Sequence, residues 1–578
     1  MTELDLSSLK SALQEMEGRS ALLPALHEAQ KFYGHLPEPV AALVASSLGI
    51  PLADVSGVID FYTMLYKEPV GEQIVRVCGD PACALQGSDA VIESLCQHHQ
   101  VSLDQVSADN RITIERVTCL GLCDHAPAAL VGDSAYGHLE PASAPSMIME
   151  NLEPPRSKIG GTATLLTANC GRGKPTSLKE YRSAGGYSGL EKALQMNPAE
   201  VIEIVKSSGL VGRGGAAFPT GVKLEGASLA PGTPKYVVCN ADESEPGTFK
   251  DRVLMEDDPQ RVLEGLIIAG YAVGARQGYI FVRGEYPRAF NMLEHAMNEA
   301  RSAGYLGEGI LGSDFSFEIE LRLGAGAYIC GEETALFEAI EGKRGFPRLK
   351  PPFPTTHGLF GKPTAINNVE TLCNLPFILE HGAAAYRQLG TEESPGTKLF
   401  CLSGDVKFPG LYEAPFGITL RELLFDLAGG MHSQDGIQAV LVGGAAGAFA
   451  VEKDLDVQLS FEHLRAANLP LGSGVLMVID QSRDMHDILA RLARFFAHES
   501  CGKCYPCQLG TQRQCEILER MAKGNFLPGD MERLSDVGWT MTDSSLCGLG
   551  QTAATAVLSA MQLWPELFTP AETGGHHG

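Results

Sequence analysis

Eight of the fifteen cysteines fall into two groups, and their spacing constrains the fold more than any other feature of the chain. The first group has one pair with four intervening residues, Cys78 and Cys83, and one with three, Cys119 and Cys123. Two such pairs in a small domain are typical of a [2Fe–2S] site, which takes four thiolates. Zinc is the alternative, although its ligand pairs are usually closer together. In either case the two pairs must meet in space.

The second group has three cysteines that are each separated by two residues, Cys501, Cys504 and Cys507, and a fourth, Cys547, in Ser-Leu-Cys-Gly-Leu-Gly. Three closely spaced thiols with a distant fourth are typical of a [4Fe–4S] site. Zinc more often uses two separate pairs. For the other cysteines we predict small buried packing residues, with Cys515 inside the helix that follows the group; they are Cys96, Cys170, Cys239, Cys330, Cys373, Cys401 and Cys515.

A glycine-rich stretch follows a helical pattern at residues 201–206, with glycines at positions 212, 214, 215 and 221. Its backbone can approach a phosphate or a flat ring without interference from Cβ atoms, and Arg213 and Lys223 add positive charge. The strand-like residues 235–239 lead into Asp242, Glu243 and Glu245, which suit ribose or ribityl hydroxyls. The spacing is that of neither the dinucleotide fingerprint nor the Walker A loop, so the stretch alone leaves a nucleotide site open.

The length of 578 residues predicts three to five domains. A formal charge of −25 argues against nucleic acid or an anionic membrane surface as the main partner. The apolar runs are too short for a membrane span, and the N-terminus has no basic region or signal-peptide core. We therefore expect a cytoplasmic protein.

The pattern of apolar residues, turns and breakers changes along the chain. Helical spacing with breaks at Pro37 and Pro51 comes first, strands and helices alternate next, and the C-terminal part is helical. We predict five units: a helical bundle at 1–66, a small α/β layer with the first cysteines at 67–155, an α/β nucleotide domain at 156–395, a β-rich module without assigned chemistry at 396–480, and a helical bundle with the second cysteines at 481–578.

A nucleotide site beside two iron–sulfur clusters implies redox chemistry. Nicotinamide exchanges two electrons as hydride, whereas the clusters pass one electron at a time, so a flavin is the natural converter. Such a protein has to supply position and electrostatics and needs no catalytic acid or nucleophile.

Four motifs closely resemble the NADH-binding flavoprotein subunit of respiratory complex I and its relatives. They are Gly212-Arg-Gly-Gly-Ala-Ala-Phe-Pro-Thr-Gly221, Asn240-Ala-Asp-Glu-Ser-Glu-Pro-Gly-Thr-Phe-Lys-Asp-Arg252, Gly326-Ala-Tyr-Ile-Cys-Gly-Glu-Glu-Thr334 and Glu499-Ser-Cys-Gly-Lys-Cys504. Residues 1–150 resemble the separate [2Fe–2S] subunit of that complex, here fused in front. The resemblance implies a helical bundle and a thioredoxin-like [2Fe–2S] domain, a Rossmann-like FMN and NADH domain, a ubiquitin-like β-grasp (SLBB-like) domain and a helical bundle with the [4Fe–4S] cluster.

The resemblance also implies site residues. FMN would be held by Gly212, Arg213, Gly214, Lys223, Asn240, Asp242, Glu243, Tyr328, Gly331, Glu332, Asn367 and Asn368. NADH would stack on the flavin, with its adenine near Phe218 and Phe353 and with Glu245, Glu333 and Lys350 close by. Cys501, Cys504, Cys507 and Cys547 would bind the cluster that takes electrons from FMN. Cys78, Cys83, Cys119 and Cys123 would bind a side store of electrons.

Some positions depart from the family pattern. Ala217 stands where many relatives have glycine, and Leu224 and Gly226 stand where some have aromatic residues. These changes put the adenine pocket in doubt and leave the flavin site unaffected.

Three kinds of enzyme share this architecture: complex I, the diaphorase part of NAD-reducing hydrogenases, and the β subunit of NAD-dependent molybdenum or tungsten formate dehydrogenases. Fusion of the two modules disfavours ordinary complex I, and retention of all four cysteines in the first group favours formate dehydrogenase over hydrogenase. The partner would be a catalytic subunit that carries further iron–sulfur clusters and a molybdenum or tungsten cofactor, in a hetero-oligomer. The alternatives are a hydrogenase diaphorase, a fused NADH:quinone oxidoreductase subunit, and a non-redox scaffold that has lost flavin.

Overall fold

The computed structural model describes residues 5–150 and 152–569. Its N-terminal region is helical, as the sequence predicts. Pro37 and Pro51 stand immediately before helices, where proline's fixed φ and missing N–H do no harm. The four helices are α1 (Ser7–Ala12), α2 (Leu22–Tyr33), α3 (Glu38–Leu48) and α4 (Leu52–Ile59).

The next region is a small α/β layer whose four-stranded sheet has the order β2-β1-β3-β4. Strand β1 is parallel to β2 and antiparallel to β3. The first pair of cysteines follows β1 and the second follows β2, so parallel pairing brings both to one edge of the sheet. The elements are β1 (Gln73–Cys78), α5 (Pro81–Leu85), α6 (Ser88–His99), β2 (Ile112–Val117), β3 (Ala129–Val131), β4 (Ser134–Tyr136) and α7 (Ala144–Met147).

The segment predicted as a linker, residues 152–163, contains a short strand, β5 (Ile159–Gly161). The strand pairs in parallel with Leu411–Glu413 of the β-rich module. It covers a sheet edge that would otherwise present unpaired backbone groups to solvent. The connection is therefore part of that sheet, which the Pro, Ser and Gly content of the sequence does not indicate.

The third region is an α/β unit with a parallel sheet in the order β8-β7-β6-β9. From β6 the chain builds outward to β7 and β8, then returns to the other side of β6 to form β9. The elements are α8 (Leu178–Ser183), α9 (Ser188–Ala193), α10 (Pro198–Ser208), α11 (Thr220–Leu229), β6 (Tyr236–Ala241), α12 (Lys250–Asp257), α13 (Pro259–Val273), β7 (Gln277–Val282), α14 (Pro287–Ser302), β8 (Glu318–Leu323), α15 (Glu333–Ile340), α16 (Pro354–His357), β9 (Thr364–Asn368), α17 (Val369–Cys373), α18 (Leu375–His381) and α19 (Ala383–Arg387).

The β-rich module contributes five strands to a six-stranded sheet in the order β13-β12-β14-β10-β11-β5. It has an apolar core of its own, which includes Phe400, Leu423 and Val478. Its elements are β10 (Thr397–Gly404), β11 (Gly410–Pro415), β12 (Ile437–Val442), β13 (Ala448–Ala450), α20 (Phe461–Ala466) and β14 (Val475–Asp480).

The last region is helical, and Cys515 lies within its second helix, as predicted. The helices are α21 (Met485–Glu499), α22 (Tyr505–Ala522), α23 (Asp530–Ser544), α24 (Gly548–Thr552) and α25 (Thr555–Leu563). No helix within the described ranges is long and apolar enough to cross a membrane.

The N-terminal helices are joined to the α/β unit by one continuous apolar core, which also reaches α21. A backbone contact adds to this packing. Thr63 and Met64 donate main-chain hydrogen bonds to the carbonyls of Gly326 (3.1 Å) and Ala325 (2.9 Å). Gly326 has φ +80°, and a Cβ atom there would lie 2.4 Å from Thr63 Oγ1. Only glycine therefore fits the loop that precedes Tyr328.

Candidate functional site

A cavity of about 860 Å³ lies at the carboxyl ends of β6 and β9. Asn240 and Asp242 line it from the end of β6, and Asn368 lines it from the end of β9. The strand order reverses between these two strands. Open α/β sheets bind their ligands at such a switch point, and the fold therefore positions these polar side chains for a ligand.

About half of the residues predicted for FMN and NADH line this one cavity. They are Gly214, Asn240, Asp242, Glu243, Glu245, Tyr328, Gly331, Glu332 and Asn368. The remaining predicted residues, Gly212, Arg213, Phe218, Lys223, Glu333, Lys350, Phe353 and Asn367, lie outside its lining.

Two of the lining glycines have neighbours that leave little room for a side chain. A Cβ atom at Gly214 would lie 3.0 Å from Asn368 Cβ, and one at Gly331 would lie 3.3 Å from the Asp242 carbonyl oxygen. Bare backbone in a cavity of this size suits a flat ring and a phosphate, so the residues present fit a flavin nucleotide.

Arg213 has a role different from the one that the sequence predicts. Its guanidinium is buried, donates to Tyr386 Oη (2.9 Å) and the Pro395 carbonyl (2.8 Å), and lies 4.5 Å from the centre of the Phe416 ring. The backbone N–H of Arg213 donates to Thr371 Oγ1 (2.8 Å). The charge thus braces the glycine-rich loop from behind and does not line the cavity.

The two predicted lysines lie beside the cavity with partners of their own. Lys350 Nζ is 2.8 Å from Glu332 Oε1 and 2.6 Å from Glu333 Oε1. Lys223 Nζ donates to the Ile366 carbonyl (2.8 Å), and burial lowers its pKa. A ligand that recruits either ammonium group must compete with these contacts.

The two predicted adenine-stacking residues are exposed. The exposed fraction is 49% for Phe218 and 57% for Phe353. Exposed aromatic rings beside a cavity suit stacking with a flat heterocycle.

Buried carboxyl groups give the cavity an unusual electrostatic character. Burial raises the pKa of Asp242 to about 8 and that of Glu243 to about 7. Burial also raises the pKa of Glu245, whose carboxylate accepts from Tyr328 Oη (2.5 Å) and from the backbone N–H of Ala446 (2.9 Å). At neutral pH, Asp242 is mainly protonated and can donate a hydrogen bond to a ligand.

Beneath the cavity, oppositely charged side chains form a buried network. Lys250 Nζ is 2.7 Å from Asp251 and 3.2 Å from Glu370, which also pairs with Lys398 (2.5 Å). Asn368 donates to Asp251 Oδ2 (2.7 Å). Burial lowers the pKa of Lys398 to about 8. The network ties the end of β9 to β10 of the β-rich module and so fixes one wall of the cavity.

The first cysteine group is brought together as predicted. The Sγ atoms of Cys119 and Cys123 are 3.2 Å apart, and the Cys78 thiol is hydrogen-bonded to Cys119 and Cys83. All four side chains are buried. Hydrogen bonds from Cys123 and Cys78 hold the pKa of Cys119 well below its usual range, so this group stabilises a thiolate, the form that binds iron.

The second cysteine group surrounds a small cavity of its own. Cys501, Cys504, Cys507 and Cys547 all line it. Cys507 is buried, whereas the other three are partly exposed. Ile329 and Leu549 line this cavity and the large one, so the two are separated by only a side chain's thickness. Within the described residues, no group of three or more His, Cys, Asp or Glu side chains is arranged to hold a single metal ion.

Two residues to which the sequence assigns no function connect the cavity with the cysteine groups. Arg283 donates to the carbonyls of Glu243 and Cys119, both at 2.7 Å. Glu499 accepts from Thr118 Oγ1 and from the backbone N–H of Tyr328, both at 3.0 Å. Glu499 belongs to a quoted motif, which marks its position and leaves its role open. Arg283 follows β7 without any motif to single it out.

The sequence also misses two segments that line the cavity from outside the α/β unit. One is contributed by the β-rich module and the other by the C-terminal helices. Their lining residues are Gly443, Ala446, Phe461, Arg465, Asn468, Leu469, Pro470, Leu471, Gly472 and Ser473, followed by Gly548, Leu549, Thr552 and Thr555.

Three family models match the chain. The thioredoxin-like [2Fe-2S] ferredoxin model matches residues 9–152, the Nuo51 FMN-binding domain model matches residues 205–377, and the model of the NADH-ubiquinone oxidoreductase-F iron-sulfur binding region matches residues 487–571. The cofactors expected from the sequence are thereby confirmed: FMN, NAD(H), a [2Fe–2S] cluster and an iron–sulfur cluster of the [4Fe–4S] type. The first model extends through the N-terminal helices into the α/β layer.

Relatives match most of the chain or all of it. The F 2 subunit of NADH-quinone oxidoreductase in Rhizobium meliloti is 49% identical over 386 residues, which cover 67% of this chain and 92% of the relative. The NAD-reducing hydrogenase HoxS subunit alpha of Cupriavidus necator is 35% identical over 563 residues, which cover 95% of this chain and 92% of the relative. A chain of the NAD+-reducing [NiFe]-hydrogenase in the H2-reduced state is 34% identical and superposes with a TM-score of 0.85 over 95% of this chain and 92% of its own length. The chain therefore belongs to the family of NADH-binding FMN and iron–sulfur diaphorase subunits that includes these proteins.

Proposed function

We propose that this chain exchanges hydride with NAD(H) at the switch-point cavity and passes single electrons through its cysteine groups to or from a partner subunit. The carrying observation is that one cavity, lined by the polar residues expected for FMN, adjoins one cysteine group and is bridged to the other by Arg283. Bound FMN supplies the conversion between hydride and single-electron transfer.

The chain's own residues position and enclose the ligands. The glycine backbone around Gly214 and Gly331 leaves space for the ring and the phosphate, and Asn240, Asp242 and Asn368 offer hydrogen bonds. Phe218 and Phe353 provide stacking surfaces for the adenine of NADH. Glu333 and Lys350, together with Glu245, lie where they contact the dinucleotide, and Gly212, Arg213, Lys223 and Asn367 support the cradle from behind.

For the partner we propose the catalytic subunit of an NAD-dependent formate dehydrogenase, with a molybdenum or tungsten cofactor and further iron–sulfur clusters, in a cytoplasmic hetero-oligomer. The support is that all four cysteines of the first group are present and lie together. The fifteen free cysteines are consistent with a reducing compartment. The reaction would be formate + NAD+ to CO2 + NADH.

A second candidate partner is an NAD-reducing hydrogenase. The specific observation in its favour is that a hydrogenase subunit aligns with 95% of this chain at 35% identity. A fused NADH:quinone oxidoreductase subunit remains a third candidate.

The test is an anaerobic NADH titration of the purified chain, followed by optical and EPR spectroscopy. We expect bleaching of flavin absorbance and two distinct cluster signals. Absence of bleaching, with zinc as the bound metal, would refute the proposal in favour of a scaffold. The complex isolated with its partner is then offered formate or H2 without NADH. Reduction by formate supports the first candidate, and reduction by H2 alone replaces it with the second.

A further inference from the structure

The β-rich module, to which the sequence assigns no chemistry, forms one wall of the cavity. Arg465 lies on α20, and residues 468–473 form the loop between α20 and β14. Both line the cavity that the glycine-rich loop lines from the α/β unit. A Cβ atom at Gly215, which has φ +127°, would lie 3.8 Å from the carbonyl carbon of Gly472, so the two loops face each other at close range.

The cavity has few positive charges to offer a phosphate. Five carboxyl groups line it, from Asp242, Glu243, Glu245, Asp251 and Glu332. Its two lining cations are Lys250 and Arg465. Lys250 is already paired with Asp251 and Glu370 in the buried network.

Arg465, by contrast, has no carboxylate within ion-pair distance among residues 5–150 and 152–569. Arg213, the cation that the sequence predicts for phosphate binding, points instead toward Tyr386 and Pro395. Arg465 is therefore the lining cation whose charge is available to a ligand. A guanidinium presents two parallel N–H groups to a phosphate, which makes such pairs strong.

The loop beside Arg465 is rigid and contains an unsatisfied polar group. Gly472 has φ +55°, and a Cβ atom there would lie 2.6 Å from the Gly443 carbonyl oxygen, so the loop packs directly on the β12–β13 connection. Ser473 is only 9% exposed, and its hydroxyl has no hydrogen-bond partner in the described chain. Buried hydroxyls are normally paired, and an unpaired one in a cavity wall is consistent with a ligand that completes the site.

We propose that Arg465 binds a nucleotide phosphate and that the loop of residues 468–473 forms the wall of the phosphate subsite opposite the glycine-rich loop. This proposal rests on the proposed function, since it concerns the same cavity. The phosphate is either the monophosphate of FMN or the diphosphate of NADH, both of which present anionic oxygens of the same chemistry.

The test compares Arg465→Ala, Arg465→Lys and Arg421→Ala. Arg421 belongs to the same module, pairs with Asp456 and does not line the cavity, so its variant controls for general effects of removing a surface arginine. The measurements are the Kd for FMN, by fluorescence titration of the flavin-depleted chain, and the Kd for NADH of the FMN-loaded chain. Loss of a charge-assisted contact predicts about 10- to 100-fold weaker binding by Arg465→Ala. We expect a smaller loss for Arg465→Lys, which keeps the charge.

The two arms identify the source of the phosphate. Weaker FMN binding by Arg465→Ala assigns the subsite to the flavin, and weaker NADH binding with unchanged FMN affinity assigns it to the dinucleotide. If Arg465→Ala matches both wild type and Arg421→Ala in the two affinities, the subsite is refuted while the proposed function stands. Failure of the wild-type chain to bind FMN refutes both.

Discussion

The two cysteine groups differ in how far they lie from solvent. Every side chain of the first group is buried, whereas Cys501, Cys504 and Cys547 of the second group are partly exposed, and Tyr505 next to Cys504 is 77% exposed. Both groups are close to the same cavity, through Arg283 on one side and through Ile329 and Leu549 on the other. The difference indicates that only the second group is placed to exchange electrons with another protein, and that the first exchanges them within the chain.

The strongest test of this difference is Cys504→Ala. Loss of a cluster ligand at the exposed group should abolish the [4Fe–4S] EPR signal and reduce electron transfer to the partner by more than about 100-fold, the upper end of what losing an outer-shell partner costs. FMN content and flavin bleaching by NADH should stay unchanged. Continued fast transfer to the partner would mean that electrons leave by another route.

The corresponding change in the buried group is Cys119→Ala. It should abolish the [2Fe–2S] signal and slow NADH-driven reduction of the partner by less than about 10-fold, since this group lies off the exit route. Cys96→Ala, outside both groups, is the control for loss of a thiol in the same domain. A loss as large as that of Cys504→Ala would place the first group on the main route.

A chemical measurement sharpens the same contrast. After the clusters are removed by chelation under reducing conditions, Cys504 should be alkylated at least about 10-fold faster than Cys78, because a buried thiol reacts only when the structure opens locally. Mass spectrometry of the digested protein gives the rate for each site. Equal rates would show that burial of the first group depends on its cluster.

The smallest effect concerns Asp242, in the cavity that adjoins both groups. Its pKa is about 8 in the folded chain and about 3.9 when unfolded, so the folded state binds the extra proton between these values. Stability of the FMN-free chain should therefore fall as the pH rises from about 4 to about 8, by at most about 1.4 kcal/mol per pH unit from this group. Asp242→Asn should flatten that slope, as read from unfolding midpoints at several pH values. An unchanged slope would assign the proton elsewhere.

Much of this arrangement follows from local sequence patterns. Cys119 and Cys123 follow β2, and Asn240 and Asn368 end adjacent parallel strands, so strand pairing alone brings these residues together. The helical N-terminal region was also predictable, because Pro37 and Pro51 mark helix starts. These features depend on residues whose positions are fixed by the element in which they lie.

What the sequence could not supply is the direction of individual side chains and contacts between distant segments. Arg213 belongs to a glycine-rich motif, yet its guanidinium packs against Phe416, a residue of another module. The wall that includes Arg465 and Ser473 comes from a region without a recognisable motif. Neither the orientation of a long side chain nor the approach of a remote loop has a periodic signature, so the packed structure is needed for both.

The hydrogen bonds from Thr63 and Met64 to the loop at Ala325 and Gly326 have one further consequence. The complex I relatives that the fusion resembles have these two modules on separate chains, whereas here one polypeptide carries both. Their docking is then intramolecular, and its effective concentration is set by the connecting chain and not by the amount of protein. Dilution therefore cannot remove the brace behind Tyr328, and the geometry of the cavity should be independent of protein concentration.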